Sequence, residues 1–277
     1  MTSRRAIGVG GGLALCFAGL PGVATAQQAL TTFDNGTEGW SISGRETIDP
    51  TGGNPGANMH GIMTDVFGAD IRNNTNQDFL GDVTRYGEMT ISIDVKVNSI
   101  LFVGNPVPRE LIIEFRDFEN QNGYPWTSVW HSLTVLDGAG SPWQTYRVTI
   151  QDPTATALPS GWSGTGGEDP VTFEPILEPG RTFASVLESV DEIAFTTFVP
   201  GFFYGGTDFD IQIDNLRIES TGCYADCDGN TTLDVFDFLC FQDAFVAGAP
   251  YADCDGNSAF DVFDFLCFQD AFVTGCP

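Results

Sequence analysis

A tandem repeat near the C-terminus constrains this chain more than any other feature. Ala225-Asp226-Cys227-Asp228-Gly229-Asn230 recurs as Ala252-Asp253-Cys254-Asp255-Gly256-Asn257, and the thirteen residues Asp234 to Val246 recur unchanged from Asp261 to Val273. A unit this short cannot bury an apolar face alone, so its two copies have to pack on each other. The acidic part carries its own chemistry. A twelve-residue calcium loop presents oxygens from its first, third, fifth, ninth and twelfth residues and a backbone carbonyl from the seventh. The first copy places Asp226, Asp228, Asn230, Asp234 and Asp237 there, with Thr232 for the carbonyl. The second places Asp253, Asp255, Asn257, Asp261 and Asp264, with Ala259. Two calcium ions are therefore expected, each reaching its six to eight oxygens if the last Asp binds through both of its own. Phe238, Phe241 and Phe245, and equally Phe265, Phe268 and Phe272, follow at helical spacing, which predicts two helices packed ring on ring.

The other end reads as an export signal over residues 1–26. Arg4 and Arg5 precede a small, apolar run from Ala6 to Val23, and Ala24-Thr25-Ala26 has the form of a cleavage site. Ser3-Arg4-Arg5 leaves the general secretory and twin-arginine routes both open. No later apolar run is long enough to span a bilayer, so an extracellular, cell-surface or periplasmic location is expected. The signal contains two of the 11 Lys+Arg and none of the 37 Asp+Glu. The remainder is more acidic than the formal −26 of the whole chain, which argues against nucleic acid as a partner.

Six of the seven cysteines fall after residue 222, an even cluster that reads as a disulfide framework in an exported chain. No C-x2-C pair is present and both histidines lie far upstream, which speaks against zinc. Cys223 and Cys276 flank the duplication without repeat counterparts and are expected to pair. The other four should obey the repeat symmetry, as Cys227–Cys240 with Cys254–Cys267 or as Cys227–Cys267 with Cys240–Cys254.

Between these ends, residues 27–220 read as all-β. Met89, Ile91, Ile93, Val95 and Val97 alternate with polar residues, the period of a half-buried strand. Similar alternation marks Leu111-Ile113-Phe115, Val129-Leu133-Val135, Tyr146-Val148-Ile150, Ile193-Phe195 and Phe209-Ile211-Ile213. Glycine-rich turns are expected at 52–56, 137–138 and 164–167, one helix over 182–189, and a bulge at Asp214-Asn215, where the apolar phase slips to Leu216 and Ile218. The pattern predicts a two-sheet sandwich. With Val129, Leu133 and Val135 inward, Trp126, Ser128, Trp130 and Ser132 share the other face. Exposed Trp rings stack on sugars, which makes Trp126 and Trp130 candidate ligand contacts. Phe202-Phe203-Tyr204 forms a second candidate, on an expected hairpin tip.

Catalytic machinery is thin. Gly161-Trp162-Ser163-Gly164-Thr165 lacks the last glycine of a nucleophile elbow. Glu114 is set opposite Asp117 and Glu119 by strand alternation. No phosphate-binding glycine loop joins a strand to a helix.

Two resemblances add to this reading. Asp226–Val246 and Asp253–Val273, with Gly229 and Gly256 at the fourth place and Leu233 and Phe260 at the eighth, resemble the dockerin type I family. That resemblance implies half EF-hands, each a loop followed by one helix, since Gly248-Ala249-Pro250 leaves no room for an entering helix. Two departures stand out. Thr231 and Ser258 occupy the sixth place, where glycine is usual. Val235-Phe236 and Val262-Phe263 occupy the tenth and eleventh, where cellulosomal dockerins carry small polar residues that meet cohesin. Those four residues are the expected contacts for a protein partner. Farther upstream, Phe79-Leu80-Gly81-Asp82, Tyr86-Gly87, Met89–Val97, Phe183, Val186-Leu187, Ile193 and Ile213-Asp214-Asn215-Leu216 resemble the laminin B (laminin IV type A) domain, a jelly roll shaped like many carbohydrate-binding modules. The resemblance implies adhesion or glycan contact rather than catalysis. Jelly-roll modules of this kind often hold a further calcium where the first strand meets the last, which here falls on Asp34 and Asp214, with carbonyls near Gly53.

The expected protein is mainly β, with a signal peptide (1–26), a jelly-roll β-sandwich (27–220) and a small α-helical dockerin-like module (221–277). It is expected to be non-catalytic, to contact a polysaccharide or matrix glycan, and to dock through its tail. The competing readings are a glycan-active enzyme and a purely structural surface protein.

Overall fold

A computed structural model describes residues 26–220, 224–228, 232–254 and 259–275. The expectations for residues 1–25, Asn230, Thr231, Asp255, Asn257, Ser258 and the Cys223–Cys276 bridge lie outside the described residues.

Among the described residues, fourteen strands build two antiparallel sheets. They are β1 (Ala26–Thr31), β2 (Trp40–Ile42), β3 (Glu46–Asp49), β4 (Asn58–Val66), β5 (Asp70–Asn73), β6 (Met89–Phe102), β7 (Asn105–Pro106), β8 (Arg109–Asp117), β9 (Thr127–Leu136), β10 (Ser141–Ile150), β11 (Trp162–Glu168), β12 (Pro175–Leu177), β13 (Glu192–Thr196) and β14 (Thr207–Ser220). One sheet runs β10-β6-β14-β4-β3, with β1 also on β14 and β7 on β6; the other runs β12-β11-β9-β8-β13-β5-β2. The chain is mainly β, a jelly-roll sandwich followed by a small helical segment.

Alternation explains the packing. Ile91, Ile93, Val95 and Val97 of β6 and Ile211 and Ile213 of β14 are buried against Ile113, Phe115, Ile193 and Phe195 from the second sheet. Burying each such side chain contributes roughly 1.5–3 kcal/mol. A short helix, α1 (Phe183–Leu187), closes one edge, and Thr182 caps it reciprocally with Ser185. The register of β14 on β6 shifts between Asp214 and Arg217, with Asn215 at φ 48°, so the bulge lies where the apolar phase slips.

Three expectations need correction. Val135 is 61% exposed instead of inward, because β9 carries an extra residue opposite Leu111/Ile112 and its phase reverses, burying Leu136. The glycine cluster 164–167 is not a turn but part of β11. A Cβ on Gly164 would sit 2.5 Å from the Leu177 side chain, so this glycine lets β12 approach. Phe202-Phe203-Tyr204 is not a hairpin tip either, since the strands it joins, β13 and β14, belong to different sheets.

Two helices follow, α2 (Val235–Ala247) and α3 (Val262–Thr274). Phe241 and Phe268 are fully buried and stacked with ring centroids 4.2 Å apart. Phe238 meets Phe268 and Phe272, while Phe241 and Phe245 meet Phe265. Each helix therefore completes the other's core. No helix among the described residues is long and apolar enough to cross a membrane.

Candidate functional site

The outer face of the second sheet floors a cavity of about 490 Å³. Arg116 on β8 is one of its lining residues and is 2% exposed. Its Nε donates to Glu114 Oε2 at 2.8 Å, Nη1 to Glu192 Oε1 at 2.6 Å and Nη2 to Asp70 Oδ1 at 3.1 Å. Burial works to lower the guanidinium's pKa. The Glu114 and Asp70 charges and the hydrogen bonds to Glu192 and Asp70 outweigh it and hold the group above its usual range. One strand each supplies Asp70, Arg116 and Glu192, in the order β5-β13-β8, so side chains distant in sequence meet on one face.

This cluster positions an aromatic ring. Glu114 Oε1 accepts from Ser128 Oγ at 2.6 Å and from Trp126 Nε1 at 3.2 Å, and the Arg116 guanidinium lies over the Trp126 ring, 4.5 Å from its centroid. Trp126 is half-buried and lines the cavity, with Tyr124 and Pro125 beside it and Phe198, Val199 and Pro200 on another wall. At the rim, desolvation first, then the charge and hydrogen bond of Glu168, push the Tyr124 phenol's pKa up. Thr165, Gly166 and Gly167 complete the lining.

Trp130 pairs in register with Glu114 and so shares the face, as expected, but it does not line the cavity, and its buried Nε1 makes no hydrogen bond. Phe202, Phe203 and Tyr204 lie outside the cavity as well. Arg116, Glu192 and Asp70 escaped the sequence reading. The one local signal was the opposite charges of Glu114 and Arg116 at i, i+2, which alternation puts on one side of a strand.

A second polar site gathers around the β3–β4 loop. Asp214 is fully buried in the β14 bulge, and its Oδ2 accepts from Asn54 N at 2.5 Å and its Oδ1 from Asn215 N at 2.7 Å. Asp34 Oδ1 accepts from Ala57 N at 3.1 Å. Asp94, which the sequence reading did not include, is 4% exposed and accepts from Asn54, Asn215 and Thr145. Desolvation, then the charges of Asp94 and Asp34, push the Asp214 carboxyl up to about 6 against the opposing pull of its two backbone hydrogen bonds. Gly53 is required here, since a Cβ would fall 2.7 Å from Asp214 Oδ2 and 2.0 Å from Ala57 O.

In the tail, Asp226, Asp228 and Asp237 bring carboxylate oxygens within 4.8 Å of one another, an all-oxygen cluster suited to a hard cation. Asp237 is fully buried and also closes a capping box: its Oδ2 accepts from Asp234 N at 2.8 Å while Asp234 caps Phe236 N. Asp264 and Asp261 repeat this on α3, and Asp264 Oδ1 accepts from Cys254 N at 2.8 Å. Each carboxylate oxygen keeps a second lone pair, so capping and metal binding are compatible. Thr232, Ala259 and Asp253 are described; Asn230, Asp255 and Asn257 are not. Disulfides join Cys227 to Cys240 and Cys254 to Cys267, the uncrossed pairing. Each ties a loop to the helix that follows it. The repeat pair Tyr224 and Tyr251 was not anticipated. Each hydroxyl donates to the other's backbone carbonyl, at 2.6 and 2.5 Å, joining the two copies at their loop ends. Val235, Phe236, Val262 and Phe263 are 63, 60, 62 and 59% exposed, the same on both copies.

No family model matches the chain, and a search of curated proteins finds no match. Among solved structures, the chain is similar to the CBM22-1–GH10 modules of Clostridium thermocellum endo-1,4-β-D-xylanase 10B, at 14% identity over 73% of this chain and 30% of that one, with a TM-score of 0.42. It is similar to the CBM22-2 xylan-binding domain of Paenibacillus barcinonensis Xyn10C at 11% identity over 70% of this chain and 99% of that one, with a TM-score of 0.39. The family 11 carbohydrate-binding module of Clostridium thermocellum matches at 15% identity over 73% and 91%, also with a TM-score of 0.39. The chain spans 30%, 25% and 51% of the first three structures matched.

Proposed function

We propose that this is an exported, non-catalytic glycan-binding protein, in which a sandwich over 27–220 grips a polysaccharide and a calcium-loaded tail over 221–277 docks it to a protein partner. One observation carries the glycan reading. Trp126 is clamped at its edge by Glu114 and on a face by Arg116, at the floor of an open cavity with aromatic and proline walls. A fixed indole beside convergent carboxylates suits a pyranose, whose C–H face stacks while its hydroxyls donate hydrogen bonds. The same contacts argue against proton transfer, because Arg116 engages Glu114, Glu192 and Asp70 at once.

The test is depletion of the full protein from solution by insoluble polysaccharides, with affinity electrophoresis on soluble ones. Trp126→Ala should weaken binding about 10- to 30-fold, as for a central aromatic anchor, while the variant remains folded at the assay temperature by circular dichroism. Release of reducing sugar would select the enzymatic reading. Failure to retain the protein on any polysaccharide would select the structural one.

Calcium in the tail would be held by Asp226, Asp228, Asn230, Asp234 and Asp237 with the Thr232 carbonyl, and by the matching residues of the second copy. Its charge would offset the repulsion among their carboxylates. The apolar pairs Val235-Phe236 and Val262-Phe263 are the proposed partner contacts, one on each copy.

For the sandwich ion, Asp34 and Asp214 are the proposed ligands, and Asp94 supplies negative charge beside them. The pH dependence of stability tests it. In chelator, Asp214 binds its proton more tightly folded, up to about 6, than unfolded, near 3.9. The folded state then holds more protons between those values, so stability should fall as pH rises from about 4 to about 6, by roughly 2–3 kcal/mol. An ion at Asp34 and Asp214 keeps Asp214 ionised and should flatten that slope. Denaturant unfolding across this range, in chelator and in calcium, checks it, and identical slopes in both would remove the sandwich ion.

A further inference from the structure

Several aromatic rings stand outside the cavity without a role in it. Phe67, Phe202 and Phe203 are 55, 59 and 74% exposed, and Phe67 and Phe203 pack with ring centroids 5.0 Å apart. An exposed aromatic group of this kind on an acidic, exported protein marks a contact surface. We propose that the sugar-binding surface continues out of the cavity over Phe198, Phe67 and Phe203, so that the protein holds a glycan chain longer than the cavity encloses and stacks its outer units on these rings. This rests on the glycan reading of the cavity.

Continuity is the first argument. Phe198, 43% exposed, lines the cavity, and its ring lies 3.1 Å from where a Cβ on Gly68 would sit, one residue from Phe67. Phe198 therefore joins the cavity lining to the backbone beside Phe67, whose ring packs on Phe203. The cavity, about 490 Å³, falls in the lower half of the usual 300–1,000 Å³ range for ligand sites and encloses only a short stretch of a polymer.

Rigidity is the second. The β13–β14 loop is pinned rather than loose. Arg109 donates to Thr207 Oγ1 at 2.7 Å and to the Pro108 carbonyl at 2.8 Å, and lies 4.3 Å from the centroid of the Tyr204 ring. Tyr204 in turn packs on Phe202 at 4.5 Å, and Gly205 sits so close to Phe102 that a Cβ would come within 2.9 Å of its ring. Rings presented by an anchored loop bind without a large ordering cost. A lipid surface fits less well. The cation at this patch, Arg109, is 7% exposed and covered by Tyr204, so it offers little to an anionic headgroup.

Calorimetric titration of the full protein with cello-, xylo-, laminari- and agaro-oligosaccharides, from disaccharides upward, tests the proposal. Affinity should keep rising after the cavity is filled. Phe203→Ala and Phe67→Ala should remove that later rise, costing about five- to tenfold on the longest chains as expected for a lost stacking contact, and leave the shortest binders unchanged. Trp126→Ala should weaken every length. A Phe203→Ala variant that affects no length, or all lengths equally, overturns the extension and leaves the cavity reading intact. A dimer in sedimentation that Phe203→Ala dissolves also overturns it, because the patch is then filled by a second copy. Absence of binding by any saccharide to the unaltered protein removes the cavity reading and this proposal together.

Discussion

Calcium chelation is expected to abolish the helical signal of the tail while leaving the sandwich folded. The tail core is small: among the described residues its buried apolar cluster is Phe241, Phe268 and Ala252, with a ring of half-buried aromatics around them. A core of that size gives little stability by itself. Against it stand carboxylates whose oxygens lie within 4.8 Å of one another, one of them, Asp237, fully buried. Without a cation these groups repel across a partly desolvated loop. With one, the folded state gains by mass action about 4 kcal/mol at a thousandfold excess over the dissociation constant. Asp237→Ala and Asp264→Ala should be the most damaging single changes, because each removes a proposed calcium ligand together with the third-position half of a helix's capping box. Calorimetry of the full protein should show two transitions in calcium, of which chelator removes one, with the matching loss in circular dichroism. Unchanged helicity in chelator, with no heat of ion binding, would show that packing and the disulfides alone hold the module.

Arg116→Ala should cost about 3–5 kcal/mol, the usual penalty for breaking a buried ion pair from one side. The substitution leaves Glu114 and Glu192, each 2% exposed, and the half-buried Asp70 without their common cation. Arg116→Lys should recover little, because one ammonium cannot bridge three carboxylates at the angles a guanidinium spans. Sugar binding should fall in the same variant, since Trp126 loses the group that covers its ring. Denaturant unfolding measures the first effect and affinity electrophoresis the second. A loss below about 1 kcal/mol would mean that solvent reaches the cluster and screens it as at a surface.

The sequence by itself determined what depends on local spacing. Period-two alternation marked β6, β8, β10, β13 and β14. The phase slip after Ile213 marked the bulge at Asp214 and Asn215, and the 27-residue duplication marked two helices packed ring on ring, where the structure stacks Phe241 on Phe268. Each of these follows from steric and hydrogen-bonding rules that act over a few neighbours. The cavity could not be read in this way. Asp70, Arg116 and Glu192 lie far apart along the chain and meet only because β5, β13 and β8 are adjacent in one sheet. Val135 was misassigned because a bulge depends on the partner strand, and glycines 164–167 were misread as a turn because the space they leave belongs to Leu177 and β12. Likewise, the β13–β14 loop resembles a hairpin until the strands on either side fall in different sheets. Strand order decides which charges share a face, and it is set by the total burial of the sandwich rather than by any segment within it.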